Sequence, residues 1–182
     1  MGVLTFRNFG ILERLVASGY LELIEDIEVT GSSVTSVQFS GFTATKEDTL
    51  VLVSDINNTS ANGSLVRIYA NNNQVATNYW KQELYATSTT VGGGRENSAT
   101  VGLASTLKKT FILTNIKLTN DGYVTYQLGE TRTYGTSLPL LVDAVVSSTF
   151  TATSITQLDV NCNQTNAIGI GSRFQLYKIV GV

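Results

Sequence analysis

The chain has 182 residues, no His, one Cys, and 12 basic against 14 acidic residues for a formal net charge of −2. A chain of this length fits one domain with a full core. The lack of imidazole removes Ser-His-Asp and Cys-His nucleophiles, ordinary catalytic zinc sites and any side chain that titrates near neutrality unperturbed. Charged residues are only 14 % of the chain and no basic cluster exceeds Lys108-Lys109, so the concentrated basic face that nucleic-acid binding needs is missing and no nucleic-acid partner is expected.

The first nineteen residues read differently from the rest. Ile11, Leu12, Leu15 and Val16 recur at helical spacing and Gly19 stands where a helix would stop. Upstream, Leu4, Phe6 and Phe9 are spaced as in an extended segment. Residues 1–19 are therefore expected to form a short helix or arm, and these seven apolar residues to dock on a partner rather than on the domain's own core. The opening lacks a basic segment followed by an unbroken apolar stretch, and nothing in the chain approaches the ~18 apolar residues of a membrane span, so no membrane partner is expected.

From Tyr20 to the end, residues 20–182 read as one β domain, with period-two patterning interrupted by turn residues. The expected strands are Leu21 to Val29, Val34 to Phe42, Thr49 to Asp55, Ser64 to Asn71, Asn78 to Thr87, Thr110 to Leu118, Tyr123 to Thr133, Leu140 to Thr149, Ser154 to Val160 and Arg173 to Val180. In the second, alternation puts Val37 and Phe39 on one face and Ser36, Gln38 and Ser40 on the other. Asp121-Gly122 supplies the positive φ of a hairpin, and Asn71-Asn72-Asn73 makes a second turn signal. Ser88 to Ser98, with Gly92-Gly93-Gly94, reads as a surface loop. Many strands with little helix between them exclude parallel βαβ architecture and point to an all-β antiparallel sandwich, a jelly roll of eight to ten strands.

Places where chemistry could sit are few. The Gly92-Gly93-Gly94-Arg95 run lacks the Gly-Lys-Ser/Thr ending of a phosphate loop, and no helix follows it. Asp55, Asn57 and Asn58, or Asn120 and Asp121, offer oxygens but not the acidic density of a calcium loop. Glu83, Glu130, Asp143 and Asp159 lie in strands, but the sequence pairs no two of them, and each reads as a solvent-facing position. Tyr79, Trp80 and Tyr85 share a strand, with Trp80 on the face opposite the tyrosines; they serve either as core rings or as an exposed sugar platform. No catalytic residue, metal ligand or cofactor is assigned, and an enzyme is not expected.

The closing run Ile168-Gly169-Ile170-Gly171-Ser172-Arg173-Phe174-Gln175-Leu176-Tyr177-Lys178-Ile179 resembles the last strand of jelly-roll β-sandwich virion proteins of tailed bacteriophages. Ile27 to Phe42, with Gly31, Ser32, Val37 and Phe39, is similar to their opening hairpin, and Asn78-Tyr79-Trp80 to the polar-aromatic step in their middle. The resemblance implies that the closing strand pairs back on the opening hairpin. It also implies a virion structural protein made in the bacterial host cytoplasm. The leading expectation is a capsid decoration (cement) protein on the outer capsid surface, bound to the major capsid protein and to itself as a homotrimer. The alternative is a carbohydrate-binding receptor module of a tail or head fibre, taking a host glycan. No catalytic residue carries over.

Overall fold

A computed structural model describes residues 20–86, 91–104, 109–134 and 138–180. The expected arm of residues 1–19, with Leu4, Phe6, Phe9, Ile11, Leu12, Leu15 and Val16, lies outside the described residues. Among those described, twelve strands follow in order: β1 (Leu21–Glu28), β2 (Ser36–Phe39), β3 (Thr49–Asn57), β4 (Ser64–Ala70), β5 (Tyr79–Ala86), β6 (Val91–Asn97), β7 (Thr100–Ala104), β8 (Lys109–Leu118), β9 (Tyr123–Tyr134), β10 (Leu138–Thr151), β11 (Leu158–Cys162) and β12 (Arg173–Ile179). Among the described residues the one helical element is a single 3₁₀ turn, Ala76–Asn78.

The strands form an eight-stranded sheet, β1-β12-β3-β8-β9-β10-β5-β6, and a four-stranded sheet, β2-β11-β4-β7, with every pairing antiparallel. Four pairs nest inside one another along the chain: β1 with β12, β2 with β11, β3 with β8 and β4 with β7. A two-stranded ribbon of nested pairs, rolled up so that β12 meets β3 and β11 meets β4, is a jelly roll. The fold is therefore the expected all-β sandwich, with an eight-strand core. The count of twelve comes from two further hairpins, β5–β6 and β9–β10, which lengthen the large sheet beyond β8.

Local sequence explains most of these elements. In β8 the alternation turns Ile112, Thr114, Ile116 and Leu118 inward and leaves Leu113, Asn115 and Lys117 outside. Val37 and Phe39 of β2 are buried and Ser36 and Gln38 exposed, as their alternation requires. The β8–β9 hairpin turns at Thr119–Gly122, with Gly122 at φ 84° and its N–H donating to Thr119 O at 2.9 Å. Asn71 and Asn72 both adopt positive φ (52° and 59°), a conformation asparagine tolerates better than most residues. This turn carries the chain from the small sheet at β4 to the large sheet at β5.

Two expectations are corrected and one unassigned segment proves to be a strand. Ser88 to Ser98 contains strand β6, because its glycines pair with β5 instead of looping out. Thr100–Ala104 is also a strand, paired with β4. The segment expected as Ser154 to Val160 begins its strand only at Leu158, since the Asn71 amide holds Ser154 O (2.8 Å) and Thr156 N (2.9 Å) in an irregular approach. In addition, Ile27 to Phe42 is no hairpin: β1 and β2 lie in different sheets, although β12 does pair with β1.

Two ion pairs fasten β12. Arg173 Nε donates to Asp26 Oδ1 at 2.9 Å, its Nη2 closes on Oδ2, and Gln175 Nε2 adds a bond at 3.0 Å. Lys178 Nζ meets Asp48 Oδ1 at 2.7 Å. The Arg173 hydrogen bonds hold Asp26, and the Lys178 hydrogen bond Asp48, below the ordinary carboxylate value of 3.8. Carboxylates lowered in the folded state contribute stability above that value and lose it as pH falls through the folded one. Urea midpoints should therefore drop below about pH 4, by no more than about 1 kcal/mol per partly exposed pair. Asp26→Asn should flatten that acid limb, and a midpoint unchanged between pH 7 and pH 3 would contradict it.

Candidate interaction surface

The large sheet has one face on the core and one face outward. Along β5 the two faces alternate residue by residue. Tyr79 points inward and is fully buried, its ring 5.6 Å from Phe150, 5.8 Å from Tyr69 and 6.1 Å from Tyr126. Its hydroxyl accepts from Ala70 N–H at 3.0 Å and donates to Asn73 O at 3.1 Å. Trp80 points outward and is 40 % exposed. Of these two rings one is thus in the core and the other on the surface. The side chain of Tyr85 lies outside the described part.

Register builds the outward face in rows. One row crosses Asn115, Gln127, Val145, Gln82 and Arg95, and the next crosses Lys117, Thr125, Ser147, Trp80 and Asn97. Val145 lies diagonally between Trp80 and Leu84, and all three are exposed large apolar residues. The Arg95 guanidinium sits 4.6 Å from the Trp80 ring centroid, close enough for a cation–π contact. Beside Leu84 stands Gly93, where a Cβ would come within 3.1 Å of Glu83 O and 3.2 Å of the Leu84 side chain. The glycine run thus keeps the edge strand low and leaves Leu84 uncovered. Five strands at ~4.8 Å spacing make this a face roughly 20 Å wide, apolar at Trp80, Val145 and Leu84 and otherwise mainly neutral and hydrogen-bonding.

The inward side of the same hairpin carries charge. Lys81 is buried and its ammonium lies 2.8 Å from both Glu83 and Glu96. Burial by itself would lower this lysine, but the two carboxylates outweigh it and hold it above its usual value, so Lys81 stays protonated and is no nucleophile at neutral pH.

The other sequence candidates disperse. Asp159 is buried, against the expectation of a solvent-facing position, because the Gln38 and Gln157 amides each donate to it at 2.8 Å. Glu83 is likewise tied to Lys81. The side chains of Glu130 and Asp143 lie outside the described part; by register Glu130 faces Val142, and Asp143 faces Gly129. Asp55 pairs with Lys109 at 3.5 Å, Asn57 donates to Ile170 O, and Asn58 is buried with its amide on Ala104 O. Among the described residues no three of His, Cys, Asp and Glu come together as metal ligands. Cys162 is buried, and burial pushes its thiol up to about 11.

A groove of about 870 Å³ lies at the end of the sandwich, lined by Lys46, Asn71, Leu118, the turn Thr119–Gly122, Thr151 to Ser154 and Thr156. Its volume is that of a ligand site, but the groove is open, no aromatic ring among the described residues lines it, and the Asn71 amide already serves the backbone at both ends. The Trp80 face is the better-formed candidate, since its apolar residues are exposed together. In comparison with known proteins, the chain matches no family model and no curated protein.

Proposed function

We propose that the protein is a virion structural component of a tailed bacteriophage, a decoration protein that attaches to the outer capsid surface as a homotrimer and stabilises the shell. The observation that carries this reading is the outward face around Trp80, Val145 and Leu84, uncovered by any described strand and free of a catalytic constellation among the described residues. Specific partners bury ~800 Å² a side, with exposed Trp and Arg at the centre as the residues that dominate affinity. The resemblance of the closing strand to phage sandwich proteins supplies the setting. Several modest contacts made at once give a trimer avidity that one contact lacks.

The test is the copy number in purified virions. A decoration protein should be present in fixed stoichiometry with the major capsid protein, whereas a fibre module occurs in a handful of copies. Trp80→Ala should weaken binding to undecorated shells about 10-fold or more, with little change in melting temperature. Full-strength decoration by this variant would remove the face from the reading. The Trp80–Arg95 stack favours one rival, a fibre module binding host glycan, since a ring with adjacent amide donors is also a sugar platform. Glycan-array binding that Trp80→Ala abolishes, together with no affinity for shells, would select that rival.

A further inference from the structure

Each sheet ends in two edge strands, β1 and β6 in the large one and β2 and β7 in the small one. An open edge presents unpaired N–H and C=O groups, and stable proteins guard it with short length, bulges or charge. Strand β1 carries Glu22, Glu25, Asp26 and Glu28 and a bulge between Leu23 and Glu25. Strand β2 has only four residues, and β7 has five with an irregular register against β4. Strand β6 has none of these devices. It runs seven residues in unbroken register with β5, Gly93 to Asn97 are exposed, and no described strand pairs with its other side. Its two charges are engaged with β5, Arg95 over the Trp80 ring and Glu96 on Lys81.

The groups that β6 offers are fixed by its pairing. Ser98 N–H donates to Tyr79 O at 2.9 Å, so the residues that exchange backbone bonds with β5 are, alternately, Glu96, Gly94 and Gly92. The N–H and C=O of Asn97, Arg95, Gly93 and Val91 point the other way, toward the open edge. Side-chain bulk is divided along the strand, absent at Gly92, Gly93 and Gly94 and large at Arg95, Glu96 and Asn97.

We propose that β6 pairs antiparallel with β6 of a second copy of this chain, the two Gly94 residues facing each other across a two-fold axis. In that register Asn97 pairs with the partner's Val91 and Arg95 with the partner's Gly93, so the outward N–H and C=O groups of all four positions are satisfied. Arg95 and Glu96 each lie opposite a glycine, the partner's Gly93 and the partner's Gly92. The bulky half of one strand thus fits the bare half of the other, a match that β6 itself supplies and a foreign strand would have to imitate. A shift toward Arg95 would set two guanidiniums against each other, which is unfavourable, and a shift toward Gly93 leaves Asn97 beyond the end of the partner's strand. The pairing joins two eight-stranded sheets into one, with both Trp80 faces side by side on it. A two-fold contact is isologous and does not close a ring of three, so it links copies of different trimers and stands apart from whatever holds one trimer together.

The test uses Gly94, where among the described residues a Cβ meets only the Glu83 side chain, at 3.7 and 4.0 Å, so substitution leaves β6 in place. Gly94→Cys should form a disulfide-linked dimer under a mild oxidant, because facing residues of a non-hydrogen-bonded pair stand ~4.5 Å apart at Cα, within disulfide range. Asn97→Cys should not, since its two copies would be roughly 20 Å apart. Cys162 is buried with its thiol pushed up to about 11 and does not compete. Gly94→Lys sets two ammoniums across the axis and should halve the mass measured by sedimentation, whether the wild type is a dimer or a pair of trimers, while the β spectrum stays native. Failure of Gly94→Cys to cross-link, equal cross-linking of Asn97→Cys, or an unchanged mass for Gly94→Lys would each overturn the pairing.

Discussion

Tyr79→Ala is expected to remove about 5 kcal/mol of stability, much of what holds a domain of this size folded. Deleting a buried ring costs ~3–5 kcal/mol, and three aromatic neighbours within about 6 Å place Tyr79 at the upper end. The hydroxyl adds to this, since without it the buried Ala70 N–H loses its acceptor, at ~1–3 kcal/mol. Melting should fall by ~10–20 °C. Tyr79→Phe isolates the second part and should cost only those ~1–3 kcal/mol. Trp80→Ala, one residue along and on the other face, should stay within about 1 kcal/mol. Urea denaturation of the three variants checks the order, and equal losses for Tyr79→Ala and Trp80→Ala would show that the faces of β5 are wrongly assigned. Alkali gives a second readout. Burial pushes the Tyr79 phenol up to about 12 and drives Tyr126 in the same direction. A raised phenol contributes stability that is complete below its ordinary value of 10.0 and drains away as pH rises through the folded one. The protein should weaken between pH 10 and about 12, and Tyr79→Phe should weaken less steeply.

The second large effect is expected at Gly169, where a Cβ would stand 2.4 Å from the Thr59 methyl and 2.6 Å from the Asn57 carbonyl oxygen. The methyl can turn away but the carbonyl cannot, because it accepts the Gly169 N–H at 2.8 Å. Next to it the Asn57 N–H donates to the buried Ser172 hydroxyl at 2.9 Å, so separating these backbones breaks the join between β3 and the approach to β12. Gly169→Ala should cost about 3 kcal/mol, the upper range for overpacking, and lower melting by ~6–12 °C. Gly171, two residues on, is a glycine for another reason. It has φ 79° and nothing within 4 Å of its absent Cβ, so Gly171→Ala should cost only the ~1–2 kcal/mol of a left-handed backbone, and Gly171→Asn less. Thermal melts of the three variants decide it: a Gly169→Ala chain as stable as the Gly171→Asn chain would mean that the two backbones do not approach as described.

The Ile168-Gly169-Ile170-Gly171 run shows where local reading stops. Two glycines two apart look equivalent in the sequence, yet one answers to torsion and the other to a distant stretch of backbone at Asn57. What a residue can do alone, or with neighbours a few positions away, was legible. Alternation named Val37 and Phe39 as inward residues, Asp121-Gly122 marked the β8–β9 turn, and the density of such signals fixed an antiparallel sandwich. Strand β6 was not legible, because Gly92, Gly93 and Gly94 have no strand preference of their own; they extend because β5 offers a ladder and a side chain at Gly93 would strike Leu84. Nor could alternation say which of Tyr79 and Trp80 is inside. Period two states only that they part, and the side on which the small sheet lies makes one the hub of the core and leaves the other on the surface. The nested pairing of β1 with β12 down to β4 with β7 is decided in the same way, by which apolar faces can be buried together once distant segments meet.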